Sequence, residues 1–301
     1  MPGTEIIEPI AMRPEQYRSP THPLSLWGKT TPVTKICLLI LLLLLLAAAL
    51  APVIAPFSPM EQKLLFRLRP PMGMERAVEG YIFGTDELGR DILSRCLFAL
   101  RVSIGLAFIG SLIGAVVGGA LGLLSGLGGK WTDSMIMGLV DAQIAIPFTL
   151  VAVFIVAVAG SGIPVLVMVL GIAYWEQYAR LIRAQTLSVR TSLFVTASQS
   201  MGASTSRIAM RHILPNIVSP LVVMFTLNFS NIILLESTLS FLGLGVQPPT
   251  ASLGSMIGQG RSYMADAWWL VAVPSFFVIL VALVILLLGD WLREVLDVRT
   301  Q

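Results

Sequence analysis

Of the 301 residues, 55% are hydrophobic and only 12% are charged, about half the charged share of an ordinary soluble domain. That balance excludes a freely soluble globular chain and indicates an integral membrane protein with small exposed segments. A net charge of +3 without a basic face set with aromatic readers speaks against nucleic-acid binding. Two cysteines (Cys37, Cys96) and two histidines (His22, His212) give no disulfide framework and no histidine-based metal site.

Residues 1–35 are polar and proline-rich and read as an irregular cytoplasmic tail rather than a secretory signal. The run 36–56 carries no charge and is long enough to cross roughly 30 Å of hydrocarbon as a first transmembrane helix. Residues 57–101 form the largest polar segment outside the membrane, on the periplasmic side. Within it Ile92, Leu93, Leu97 and Leu100 recur at helical spacing, which predicts an amphipathic helix on the interface.

A second span is charge-free from Val102 to Gly129. Gly110, Gly114, Gly118, Gly122 and Gly126 fall every four residues along it, a flat ridge for close helix packing. The Gly128-Gly129-Lys130-Trp131 end lacks the glycine at 124 and the hydroxyl at 131 that a phosphate loop needs. An uncharged stretch between Asp141 and Glu176, broken at residues 160–164, predicts a third span near 134–159 and a fourth near 163–181. Asp141 falls in the inner part of the third. A charge at such depth costs about 2.5 kcal/mol or more unless paired or wetted, so it reads either as a pathway residue or as the partner of a loop arginine.

Next comes an arginine loop, 182–215 with its approach, carrying Arg180, Arg183, Arg190, Arg207 and Arg211, and no acid lies between Glu176 and Glu236. By the positive-inside bias this loop is cytoplasmic. Phe194, Ala197 and Met201 share one face of a short helix, and Gly202 supplies its stop. Ser204 or Ser206 caps a second helix with Ala209 and Ile213 on one face, which Pro215 ends. A fifth span follows over 216–235, then Glu236 at its outer end, and then an outer re-entrant element over 237–265, rich in glycine and proline. The sixth span, 267–289, starts at an aromatic belt of Trp268 and Trp269, and 291–301 is a cytoplasmic tail. Arg13, Arg18, Lys29, Lys35, Lys130, the five loop arginines, Arg293 and Arg299 then all face inward. A core of 102–290 then holds five of six transmembrane helices, with both termini inside.

Three stretches resemble a known family. TASQSMGASTSRIAMRHILPN (196–216) is similar to the EAA loop of ATP-binding-cassette (ABC) importer permeases. GTDELGRDILSR (84–95) and LSFLGLGVQPP (239–249) resemble motifs of the dipeptide/oligopeptide/nickel branch, second-subunit type. In the triplet, Thr196-Ala197-Ser198 stands without the usual glutamate. The resemblance implies an all-α, six-helix type I importer permease in the bacterial inner membrane. It also implies a coupling loop including Thr196, Ala197, Ser198, Met201, Gly202, Ala203, Ser204, Arg207, Arg211, His212 and Pro215. The implied partners are a second permease subunit, two ATPase subunits that hold ATP and magnesium, a periplasmic solute-binding protein and membrane lipid, with no cofactor in this chain. Asp141 and Glu236 are the pathway candidates. Relatives carry peptides, nickel chelates, opines and sugars, so the sequence leaves the solute open. The competing reading is a self-sufficient secondary transporter with Asp141, Glu176 and Glu236 as ion sites.

Overall fold

A run of leucine and alanine without charges satisfies its backbone in a bilayer only as a helix, and Pro32–Ala49 forms α1. Thr31 opens it by accepting the Thr34 amide at 3.3 Å, and Pro32 occupies the first turn, where a missing N–H costs nothing. The helix breaks at Leu50 and adds one turn, α2 (Ala51–Ile54), so the first span is two pieces. This structure, a computed structural model, describes residues 30–297. The rest of the predicted N-terminal tail, with His22, and residues 298–301 lie outside them. Among the described residues the only β pairing is an isolated bridge between Thr85 and Asp91.

Residues 55–91 fold into an irregular cap. Phe57 stacks on Tyr81 at 4.6 Å, and the buried Asp86 carboxylate accepts the Leu88 and Arg90 amides and the Arg90 and Arg95 side chains. Asp91 then caps α3 by accepting the Ser94 amide at 2.7 Å. Burial pushes the Asp91 carboxyl up, against the pull of the Ser94 hydroxyl and amide.

The separate interfacial helix expected near 92–100 is not formed. α3 runs unbroken over Ile92–Leu127, 36 residues and about 54 Å at 1.5 Å per residue. Nothing between Leu100 and Val102 breaks a helix, and Arg95 turns inward to Asp86 instead of facing water. Ile92 and Leu100 are buried in the main core, and Leu97 is buried as well, so this face is not laid on an interface.

The glycine ridge is used within this chain. A Cβ on Gly110 would lie 2.8 Å from Leu170 Cβ of α6 (Ile163–Gly171). On Gly118 it would fall on the Trp175 carbonyl, on Gly122 on the Ala179 carbonyl, and on Gly126 2.6 Å from Thr186 Cβ, all in α7 (Trp175–Arg190). Gly114 is looser, at 3.4 Å from the Gly171 carbonyl. α7 therefore lies backbone-close along α3.

The third span is bent rather than straight. α4 (Lys130–Ala145) and α5 (Phe148–Ala159) meet at 89° because Ile146, which precedes Pro147, is held extended at φ −107°, ψ 127°. Among the described residues, five helical segments are long and apolar enough to cross a membrane, six if this bent pair is one span.

The fifth span is longer than predicted. α9 (Thr205–Ile208) passes through a π turn (Ala209–Ile213) into α10 (Leu214–Phe241) without a stop. Pro215 thus begins a helix instead of ending one: the wide turn, with Leu214 N–H reaching back to the Ala209 carbonyl, absorbs the proline that an α-turn would reject. The expected re-entrant element contains α11 (Leu253–Gly260), capped by Ser252 and Ser255. It lies against the end of α10, where a Cβ on Gly254 would sit 2.5 Å from Ser237 Cα.

α12 (Trp269–Asp297) continues past Asp290, so the predicted 291–301 tail is helical where described. Trp269 is not a belt residue. It is buried, and its indole N–H donates to the Thr85 carbonyl at 3.1 Å, tying α12 to the cap. One large core joins α1, α3, α5, α6, α10, α11 and α12.

Gly118→Ala should lower the thermal midpoint of the detergent-purified protein markedly, because the added methyl meets backbone; overpacking of this kind costs about 1–3 kcal/mol. Gly105→Ala, on the same helix with open space around it, should leave the midpoint unchanged in the same thermal-shift measurement.

Candidate functional site: the arginine-rich helical hairpin

The arginine loop is a hairpin of α8 (Leu193–Ser200) and α9, strung between α7 and α10. Its first part, 182–190, is the end of α7. The turn is a Schellman closure. Gly202 N–H donates to the Gln199 carbonyl at 2.9 Å and Ala203 N–H to the Ser198 carbonyl at 3.1 Å, with Gly202 at φ +82°. Of the two candidate caps, Ser204 opens α9 by accepting the Arg207 amide at 3.4 Å.

The hairpin sits on a small core of its own. Val195, Ile208, Ile213 and Ile217 pack with Ile182 of α7, and Leu123 and Leu127 of α3 close the side. Ala209 and Ile213 are both buried, as their shared face requires. The Phe194–Ala197–Met201 face points the other way: Phe194 is 51% exposed, Met201 82% and neighbouring Leu193 90%, with Met210 also outside. Alternation between a buried Val195 and this bare crest is what an interaction surface needs.

Around the triplet, the Thr196 hydroxyl donates to the Ser192 carbonyl and Ser198 Oγ lies 3.4 Å from His212 Nε2. His212 in turn lies 5.9 Å from the Phe194 ring. His212 thus braces the two halves of the hairpin.

The five arginines divide into two sets. Arg183 holds Asp133 of α4 with two bonds, 2.5 and 2.7 Å, and Asp133 also accepts the Ser125 hydroxyl of α3. Arg180 pairs with Asp141 at 2.9 Å, and Arg190 donates to the Gly126 carbonyl. Arg207 and Arg211 are exposed and make no ion pair among the described residues. Three arginines therefore serve the fold, and two face outward.

Asp141 is thereby placed as a surface partner of Arg180, both exposed in this chain, which resolves its two readings toward pairing. Two residues beyond it on the same helix end, Gln143 accepts the Trp175 indole at 2.6 Å and donates to Glu176 at 3.0 Å and to the Ile172 carbonyl. These contacts form a polar ladder between α4 and α7. Sequence reasoning missed Asp133, Ser125 and Gln143. Their signal is faint, a lone acid just after the Gly128-Gly129 break and an amide next to the Pro147 bend.

Glu236 does not line an open route in this chain. It is fully buried, where it accepts Ser103 Oγ of α3 at 3.2 Å and Ser240 Oγ at 2.7 Å. Ser252 Oγ donates to Ser240, and the Leu253 amide to Ser103, so one carboxylate gathers α3, α10 and α11. No candidate metal group of three or more ligands exists among the described residues.

Asp133→Asn and Arg183→Gln should each destabilise the purified protein, and the double variant should lose less than the sum. A bidentate, partly exposed pair gives a coupling of about 1 kcal/mol in a double-mutant cycle read by thermal unfolding.

With this geometry in place, comparison with known proteins is informative. Residues 118–301 match the family described as "Binding-protein-dependent transport system inner membrane component", and residues 31–71 match the "N-terminal TM domain of oligopeptide transport permease C". The "Di/tripeptide transport system permease protein DppC" of Pseudomonas aeruginosa is 42% identical over 88% of this chain and 87% of its own. The "Dipeptide transport system permease protein DppC" of Haemophilus influenzae is 37% identical over 88% of this chain and 90% of its own. Among solved structures, the inward-facing MetNI methionine ABC transporter matches with a TM-score of 0.54 at 20% identity, over 67% of this chain and 96% of that one. That likeness carries the fold alone, a type I importer permease. The ion-coupled reading is set aside by these relationships. The chain belongs to the binding-protein-dependent transport system inner membrane component family, as a non-catalytic permease subunit of an ABC importer.

Proposed function

We propose that this chain forms half of the pathway of a peptide importer, opposite a second permease subunit, and that its hairpin is the seat for a cytoplasmic ATPase. The observation that carries the coupling assignment is the hairpin's two-sidedness: Val195, Ile208 and Ile213 are sealed inward, while Leu193, Phe194, Met201 and Met210 form a bare apolar crest beside unpaired Arg207 and Arg211. An apolar anchor rimmed by cations fits a groove with an acidic edge on a partner. The relatives' names favour peptides as the solute. In this reading both chain termini and the hairpin are cytoplasmic, two partner ATPases bind ATP and magnesium, and a periplasmic binding protein delivers the solute to the opposite face. The cap of 55–91, Glu236 and α11 then belong to the periplasmic half. ATPase closure would push the hairpin, and α7 with α3 would carry the push as one body.

Gly202 tests the reading. A Cβ there meets nothing within 4 Å in this chain, so it would project into the space of the partner, and φ +82° strains any side chain. Gly202→Asp should leave insertion and permease pairing intact, abolish ATP-driven uptake, and either release the ATPases or separate their hydrolysis from substrate. Co-purification of the ATPases and substrate-stimulated hydrolysis in proteoliposomes are the measurements; wild-type values for both with normal uptake would sink the assignment. Arg207→Glu with Arg211→Glu should weaken ATPase retention by about tenfold or more in the same co-purification, an effect that shrinks as salt rises.

A further inference from the structure

Beside the Glu236 node lies a cavity of about 450 Å³ between the end of α10, the loop that follows it, and α11. Most of its polar groups are already satisfied. Ser240 Oγ is spent on Glu236, and Ser255 Oγ accepts the Ser252 amide while donating to the Ser252 carbonyl. Three polar ends remain unused among the described residues. Arg261 rests its guanidinium 5.3 Å from the centroid of the Phe241 ring and has no carboxylate within ion-pair reach. Gln259 gives its oxygen to Arg95 at 3.1 Å, which fixes the amide's orientation and leaves its N–H groups without a partner. Gln247 spends its nitrogen on the Gly243 and Gly245 carbonyls, which leaves its oxygen as an acceptor.

The unused set is thus a pair of donors, one of them cationic, with the Gln247 oxygen as an acceptor on the same cavity wall. Donors of that kind suit a carboxylate, and they disfavour a cation at the same end. An acceptor on that wall suits a peptide N–H. Leu242, Val246 and Pro248 supply apolar wall for a side chain. We propose that this cavity is a subsite of the permease itself for the C-terminal carboxylate of a short peptide, held by Arg261 and Gln259 with Gln247 on the peptide backbone. The proposal rests on the peptide-import reading above. It adds that the membrane subunit, and not the binding protein alone, tests for a free chain end. The Glu236–serine node beside the cavity ties α10 to the residue that caps α11, the two helices that flank it.

The test uses the complete transporter in nanodiscs without the binding protein, titrated with fluorinated alanyl-phenylalanine and with the same dipeptide amidated at its C-terminus. Fluorine NMR line broadening reports relative affinity. The wild type should prefer the free acid by about tenfold, the worth of one charge-assisted contact. Arg261→Gln should remove the preference and Arg261→Lys should keep most of it. Gln259→Glu, which retains an acceptor for Arg95 and so preserves the fold, should also abolish the preference by repelling the carboxylate. Equal binding of acid and amide by the wild type overturns the proposal, as does an Arg261→Gln or Gln259→Glu transporter that still discriminates. If Arg261 merely braces the end of α10, assembly falls while discrimination persists, which also overturns it. A parallel assay with binding protein and ATP separates the two layers: no peptide import refutes the functional reading, whereas import without acid preference refutes this site alone.

Discussion

The architecture depends on the approach of α3 to α6 and α7, so close at Gly118 and Gly122 that the carbonyls of Trp175 and Ala179 occupy the space of a side chain. In a bilayer the hydrophobic effect gives helices no reason to associate, because lipid is as apolar as leucine; contact area and close approach must supply the attraction instead. Glycine at every fourth position does this by making one face of the helix flat. The arrangement has a mechanical consequence. α7 reaches the hairpin through a two-residue turn, Thr191–Ser192, and α10 leaves it through the π turn without a break; both long helices are packed on α3. Displacing the hairpin therefore acts on α10 directly and on α7 across one short turn.

α4 is held differently. Its polar links to α7 are the Asp133–Arg183 and Asp141–Arg180 pairs and the Gln143 amide, on side chains that are partly or largely exposed except for the buried Glu176. Exposed ion pairs contribute tenths to about 1 kcal/mol each and exchange readily with water, whereas interlocked backbones resist any sub-ångström shift. Under a load on the hairpin, the α4–α7 ladder gives way before the α3–α7 seam does. The 89° bend at Pro147 separates α4 from α5, so such a shift need not drag α5 with it. Structure and chemistry thus divide the chain into a stiff body, α3 with α6, α7 and α10, and a more weakly fastened α4.

Much of this was legible in the sequence where one residue type has one physical use. The glycine repeat announced a close helix contact, Gly202 announced a left-handed turn, and the apolar runs announced spans. What failed was reasoning about boundaries. Pro215 was read as a stop because a proline inside an α-helix is a stop; a π turn ahead of it changes the hydrogen-bond register, and no pattern in MRHILPN signals that turn. The interfacial helix at 92–100 follows from apolar spacing, but Ile92 and Leu100 go into the main core and Arg95 is satisfied inward by Asp86, nine residues away. Glu236 is a pathway candidate from its position at the end of a span, but in this chain its surroundings are made by Ser103, 133 residues away, and by Ser240, which Ser252 braces. Side-chain partners at that separation leave no periodic trace.

The absent glutamate at position 196 bears on what shapes the hairpin. A carboxylate there would offer one charged acceptor on an exposed face. In this chain the Thr196 hydroxyl turns back onto the Ser192 carbonyl and makes no tie across the hairpin. The fold of the hairpin is nevertheless over-determined: Gly202 closes α8, Ser204 caps α9, Val195 and Ile208 share a core, and His212 bridges to Ser198 and Phe194. None of these is an ion pair between described residues. The charge that the loop does present sits in α9 and the π turn, on Arg207 and Arg211. Shape and charge are therefore carried by different residues of the same hairpin, and the position without its glutamate contributes to neither across the turn.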